Sequence, residues 1–376
     1  MHHDQNGRLT LSGGDLADLA TGAAFLGCGG GGDPYIGRLL LSQQMEAGRC
    51  PRIIDADDLG DDAFVVMLAG GGAPTVALER FPNADALVSA GRRLERHLGR
   101  KLDAILPGES GGLNATLPIV AALRMDLPVI DADGMGRAFP ELHMVTFNIY
   151  GNSAAPAVLV DDHDSHVIIE AGDNRRTEKL ARSVMVGMGG AAMGALYPMS
   201  GQQVKSAAVK GTLTMALEIG RAIQAARRQN SDPVQGLLTY LNRRELQFAS
   251  LLFDGKVQDV DRRMGDGFVR GRAVLETSQG DNGSCEITFQ NEYLMARSGA
   301  HLLAVVPDLI TILDRETAEP VTTEGLRYGQ RVKVVGVSAS PNLRTSQALA
   351  VVGPRAFGID TDYRPLADLV ASCVEP

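Results

Sequence analysis

Leu102-Asp-Ala-Ile-Leu106 runs directly into Pro107-Gly-Glu-Ser-Gly-Gly112 and on into an apolar stretch from Leu113 to Leu123. An apolar run of strand length, a glycine turn and a helical pattern make one strand–loop–helix unit. Two more strand–loop units flank it. Phe64-Val-Val-Met-Leu68 leads into Gly70-Gly-Gly-Ala-Pro74, with a helix over about 83–98 before the next strand. Pro128-Val-Ile-Asp131 leads into Ala132-Asp-Gly-Met-Gly-Arg-Ala-Phe-Pro-Glu141. Strands alternating with helices predict an α/β domain with a parallel sheet and right-handed crossovers. Ligands bind such sheets outside the carboxyl ends of the strands, where all three glycine-rich loops fall. An active site is therefore expected in the N-terminal half, where the loops after Gly70, Pro107 and Asp131 meet.

Upstream, Leu16, Leu19, Ala20, Ala23 and Leu26 space a first helix that stops at Gly27. Gly27-Cys-Gly-Gly-Gly-Gly-Asp33-Pro34-Tyr35 then opens a second helix to about Met45, with Asp33 as N-cap and Pro34 as first helical residue. Downstream of Tyr150, Ala157–Val160 and His166–Glu170 read as a hairpin around Asp161-Asp-His-Asp-Ser165. Helices follow over 174–188 and 204–228, then one capped by Asp232-Pro233. From Leu246 the chain is strand-rich, with turn signals at Asp254-Gly255 and Gly280-Asp-Asn-Gly283. The expectation is an α/β domain over 1–162, holding the site, and an α+β domain over 163–376, helical at 174–245 and strand-rich from 246.

With 376 residues, 44% hydrophobic and 22% charged, the chain supports a sizeable core. A net charge of −9 without a Lys/Arg run argues against nucleic acid or an anionic membrane as partner. Nothing approaches 18 uninterrupted apolar residues, and Met-His-His-Asp-Gln is not a signal peptide. The four cysteines, Cys28, Cys50, Cys285 and Cys373, make no CxxC pair, which fits a reducing cytoplasm. A small-molecule substrate and a homo-oligomer are expected.

The glycine loop, with Gly29, Gly30 and Gly31, is a candidate for binding substrate through backbone N–H groups. It is neither a Rossmann fingerprint nor a Walker loop, so no nucleotide is expected. The other reading is a tight connection between two helices. Cys28 is a candidate nucleophile or simply a small residue in a crowded turn. Glu109 is a candidate for proton transfer, with Ser110 and Asn114 as substrate-orienting groups or helix caps. In the third loop Asp133 is a candidate general base, and Arg137 a clamp for a substrate carboxylate or the centre of an ion-pair network. Asp133, Glu141 and His143 are also candidate ligands of a divalent metal. The acidic cluster at Asp161–His166 reads better as a solvated turn. Lys210 and Asn291-Glu292 lie on segments that would have to close over the site from elsewhere.

Ala24-Phe-Leu-Gly-Cys-Gly-Gly-Gly-Gly-Asp-Pro-Tyr35, Pro107-Gly-Glu-Ser-Gly-Gly112 and Asp131-Ala-Asp-Gly-Met-Gly-Arg-Ala-Phe-Pro-Glu141 resemble the signatures of the S-methyl thiohydantoin desulfurase family. Pro341-Asn-Leu-Arg-Thr345 and Gly353-Pro-Arg-Ala-Phe-Gly358 are similar to its second-domain pattern. The resemblance implies two domains, removal of sulfur from a five-membered thiohydantoin ring, and association with hydantoinase- or oxoprolinase-like proteins. Two readings stand. One is a hydrolase in which Asp133 or Glu109 activates water against the ring carbon. The other is a non-catalytic ligand-binding or accessory subunit beside a hydantoinase-type partner.

Overall fold

The computed structural model describes residues 10–72, 76, 81–245, 247–265, 267–277 and 283–374. The N-terminal histidines, Ala73-Pro74, Leu246 and Gly280-Asp-Asn282 lie outside these residues, as does the side chain of Cys373.

Asp15–Leu26 forms α1, burying Leu16, Leu19, Ala23 and Leu26. Pro34–Glu46 forms α2, whose N-cap Asp33 accepts from Tyr35 N. The following elements are β1 (Ile53–Ile54), β2 (Phe64–Gly72), α3 (Ala84–Leu98), β3 (Ala104–Pro107), α4 (Leu117–Met125), β4 (Val129–Ile130) and β5 (Ala132–Asp133). Asn83 caps α3 and Gly99, in the left-handed region, ends it. The stretch expected to be helical from Leu113 instead makes a 3-10 turn, Gly112–Ala115, and α4 starts beyond it with Pro118 in its first turn.

Then come α5 (Thr146–Ile149), β6 (Ala157–Val160), β7 (His166–Ile169), α6 (Asn174–Gly187), β8 (Ala191–Ser200), α7 (Gly201–Ala207), β9 (Val209–Lys210), α8 (Thr212–Arg228) and α9 (Pro233–Leu241). A single helix over 204–228 was expected. The chain leaves the helix at Ala208, extended, and restarts after Gly211 at φ 72, so two helices flank a short strand.

Among the described residues these strands form a seven-stranded sheet in the order β1-β4-β3-β2-β8-β6-β7. The first four are parallel; β8, β6 and β7 join antiparallel. The sheet is therefore mixed, not wholly parallel as expected. The difference is β8, which reaches back along β2 from beyond residue 190. Val65, Val66, Met67 and Leu68 of β2 are fully buried between the layers. Such side chains stabilise the fold by about 1.5–3 kcal/mol each. Helix α1 lies against α8 at backbone contact: a Cβ on Gly22 would sit 1.6 Å from Ala216 O.

The remaining strands are β10 (Ala249–Gly265), β11 (Phe268–Thr277), β12 (Ser284–Gln290), β13 (Glu292–Ser298), β14 (His301–Val305), β15 (Leu309–Asp314), β16 (Pro320–Val321) and β17 (Arg331–Val337). They make an antiparallel sheet, β14-β13-β12-β11-β10-β17-β15-β16. No turn forms at Asp254-Gly255; β10 runs straight through it. Gly255 lets β11 come close, because a Cβ there would meet Glu276 O at 2.2 Å. The α/β region followed by a strand-rich C-terminal part is the architecture expected. No helix among the described residues is long and apolar enough to cross a membrane.

Candidate active site

The glycine loop after α1 is the seam between the two sheets. Cys28 O accepts from Tyr293 N at 2.7 Å, and Gly29 O accepts from Thr323 N and Oγ1. A Cβ on Gly29 would lie 2.4 Å from the Tyr293 ring, and one on Gly30 2.2 Å from Glu292 Oε1. Glycine is required here so that β13 can dock. Arg137 ties the same strand from the other side. It is fully buried, donating to Tyr293 O at 2.8 Å, Asp308 O at 2.7 Å and Ala138 O at 3.1 Å.

Docking brings β13 to the carboxyl ends of β2 and β3. A cavity of about 170 Å³ opens there, with Gly70, Glu109 and Met135, one from each glycine-rich loop, in its wall. Met67, Met185, Met193, Leu113 and Phe139 make most of it apolar, and Gly31 and Gly32 contribute backbone. The deepest polar groups are Glu109 and Glu292, both buried. One oxygen of each, Oε2, has no hydrogen-bond partner. Burial pushes the Glu109 carboxyl up to about 8. Burial, and next the carboxylate of Glu109, push Glu292 well above the usual carboxylate range. The Arg137 guanidinium opposes both shifts and has no carboxylate within ion-pair range among the described residues. Two acids facing one buried cation are close to neutral when they hold one proton between them. In that state the pair contains one proton donor and one proton acceptor.

The other candidates fall elsewhere. Asp133 is fully buried, and its oxygens are occupied. Oδ1 accepts from Met135 N at 2.9 Å and Gly136 N at 2.7 Å, and Oδ2 accepts from Ser110 N at 2.6 Å. It folds two loops onto each other and is absent from the cavity wall, in contrast to the expected general base. Ser110 pairs its hydroxyl with Thr212 and is likewise turned away from the cavity. Arg137 gives three of its five N–H groups to backbone carbonyls, and among the described residues it stands neither in the cavity wall nor in an ion pair. Burial pushes the Cys28 thiol up, against the hydroxyl of Thr311 that donates to its sulfur, the opposite of an activated nucleophile.

Asn114 does line the cavity, bonded to Glu109 Oε1 at 2.9 Å. Glu141 stands in the wall with His143 behind it, Nδ1 3.5 Å from Glu141 Oε2. With Asp133 enclosed by backbone donors, the three expected metal ligands are not gathered. Among the described residues no cluster of three or more His, Cys, Asp or Glu side chains suits a metal. Asp131 binds Leu213 N and Thr214, Lys210 binds Asp57, and Asp161 closes the β6–β7 turn by accepting from His163 N and Ser165 N.

Sequence comparison divides the chain just after β7, so that β8 of the first sheet falls in the second part. Residues 14–171 match the family model described as S-Me-THD-like, N-terminal domain, and residues 172–366 match S-Me-THD-like, C-terminal domain. The chain belongs to the S-Me-THD-like family. A crystal structure of a protein from Chromobacterium violaceum, a structural genomics target, is similar to this S-Me-THD-like chain at 28% identity and a TM-score of 0.80. The likeness covers 95% of this chain and 100% of that one. No curated protein matches the sequence.

Proposed function

We propose that the chain is a hydrolase of five-membered cyclic amides of the thiohydantoin type, with Glu109 and Glu292 as its acid–base pair. The observation that carries this reading is the pair itself: two buried carboxyls, each with an unpartnered oxygen, on a small and largely apolar cavity. Such a site suits a neutral, compact ring better than a highly charged ligand. Family membership and the sequence signatures point the same way.

In the proposed reaction the ionised carboxylate of the pair takes a proton from water as its oxygen attacks the ring carbon bearing sulfur. A C–O bond forms, and the electron pair of the ring C=N bond moves onto nitrogen. That pair returns as the C–S bond breaks. The departing sulfur takes the proton of the other carboxyl, so the pair ends with the one proton it began with. The largely apolar wall limits the water that competes for these protons. The enzyme is assigned to the reducing cytoplasm, where Cys28, Cys50 and Cys285 stay free thiols.

The test is release of thiol from S-alkylated thiohydantoins by the purified chain, beside Glu109→Gln and Glu292→Gln. Thiol release that depends on both residues supports the proposal. Tight binding of the same rings without turnover would favour the accessory-subunit reading and overturn this one.

A further inference from the structure

Past its register with β3, which closes at Leu68 and Pro107, strand β2 pairs with no strand on that side among the described residues. The free edge at Gly70 is taken up by a side chain. Asn114 Oδ1 accepts from Gly70 N at 2.7 Å, and Asn114 Nδ2 donates to Gly70 O at 3.1 Å. This settles which end of the amide is which, because Gly70 N–H can only donate. The nitrogen must then be the end that meets Glu109, and its other hydrogen reaches Oε1 at 2.9 Å. An oxygen accepting an N–H bond is the carbonyl-like one. A proton on Glu109 therefore belongs on Oε2, the oxygen with no partner. Asn114 is not a helix cap: its 3-10 turn is preceded by Gly111 and carries no side-chain cap.

We propose that Asn114 is a positioning residue that holds Glu109 so that Oε2 carries the dissociable proton at the cavity wall. The inference rests on reading Glu109 as an acid of the pair. It gives Asn114 a role toward the protein's own carboxyl instead of toward the substrate. The groups acting on Glu109 come from three other places: Asp133 on β5, Arg137 in the loop after it, and Glu292 on β13. Against burial and the two acids, the Asn114 donor favours the ionised form. Removing it moves the Glu109 titration to higher pH.

Difference infrared spectroscopy on the full chain reads this without substrate. The carbonyl stretch of protonated Glu109 is identified as the band lost in Glu109→Gln, and its midpoint is followed against pH in the wild type and in Asn114→Ala. Asn114→Ser, which offers Gly70 a hydroxyl but is too short for Glu109, serves if the alanine variant does not fold. The expected result is a midpoint raised by about one pH unit or more, the worth of a hydrogen bond to a charged group. A midpoint unchanged in a folded variant overturns the proposal, as does the absence of any Glu109-dependent band at neutral pH. If the midpoint moves but the wild type releases no thiol from thiohydantoins, the positioning role stands and the assigned reaction falls.

Discussion

Glu292 occupies the space that Gly30 leaves empty. A Cβ on Gly30 would lie 2.2 Å from Glu292 Oε1 and 2.7 Å from its carboxyl carbon. The backbone of Gly30 is not left-handed, and the three atoms nearest to such a Cβ all belong to the Glu292 side chain it would push. Gly30→Ala is expected to cost about 1–3 kcal/mol of stability, as overpacking does. Turnover should fall by roughly a hundredfold through a misplaced carboxyl. Urea denaturation and initial rates on one preparation check both; a normal rate in a stable variant would detach Glu292 from the chemistry.

Glu109→Gln and Glu292→Gln should each lower turnover by about two to four orders of magnitude, the range for a lost general acid or base. Neither should lower the melting temperature, because a neutral amide is easier to bury than a carboxylate. Asp133→Asn behaves in the opposite sense. It weakens three backbone hydrogen bonds, so its main effect is expected in the melting curve.

Stability should also depend on pH through Glu109. Its carboxyl stands at about 8 in the folded chain and at the ordinary 4.5 when unfolded. Between these values the folded state holds the extra proton, so this group's contribution is intact below about pH 4.5 and is lost as pH rises toward 8. Glu109→Gln removes the loss. The stability difference, variant minus wild type, should grow in the variant's favour across that window. Urea titrations of both proteins at matched pH measure it.

Arg137→Met leaves the carbonyls of Tyr293, Asp308 and Ala138 without their donors. A loss of order 3 kcal/mol or more is expected from these unpaired buried groups. Chemical denaturation gives the value, and near-wild-type stability would show that the tie between loop and strand is dispensable.

Thiol labelling in the native state should reach exposed Cys50 and spare buried Cys28 and Cys285, with mass spectrometry assigning each site. Cys28→Ser should keep most of the activity. Rapid native labelling of Cys28 with parallel inactivation would revive it as a nucleophile.

Glu109 was legible in the sequence because a carboxylate beside glycines at a strand's carboxyl end has few structural duties. Glu292 was legible only as a residue on a strand that could close over the site, because nothing near it in the chain places it there. It becomes part of the site because its neighbour Tyr293 is bonded to Cys28 and Arg137, which lie far away in the chain. Asp133 shows the reverse difficulty. An aspartate before glycines reads alike whether it faces a ligand or accepts from the next N–H groups, and here it accepts from Met135 N and Gly136 N. The three parallel strand–loop units could be read from local apolar runs. The pairing of β8 with β2 is a long-range choice that leaves no local trace.

That pairing restricts how the family can evolve. Strand β8 falls in the segment matched by the C-terminal family model, yet it is hydrogen-bonded along β2, which falls in the N-terminal one. A gene cut between residues 171 and 172 would strip β2 of that partner, baring an apolar edge prone to aggregation, and would send Glu109 and Glu292 to different polypeptides. The halves are thus poor currency for domain shuffling. A chimaera of two relatives would have to exchange β2, β8 and β13 as one block, although they are scattered through the gene.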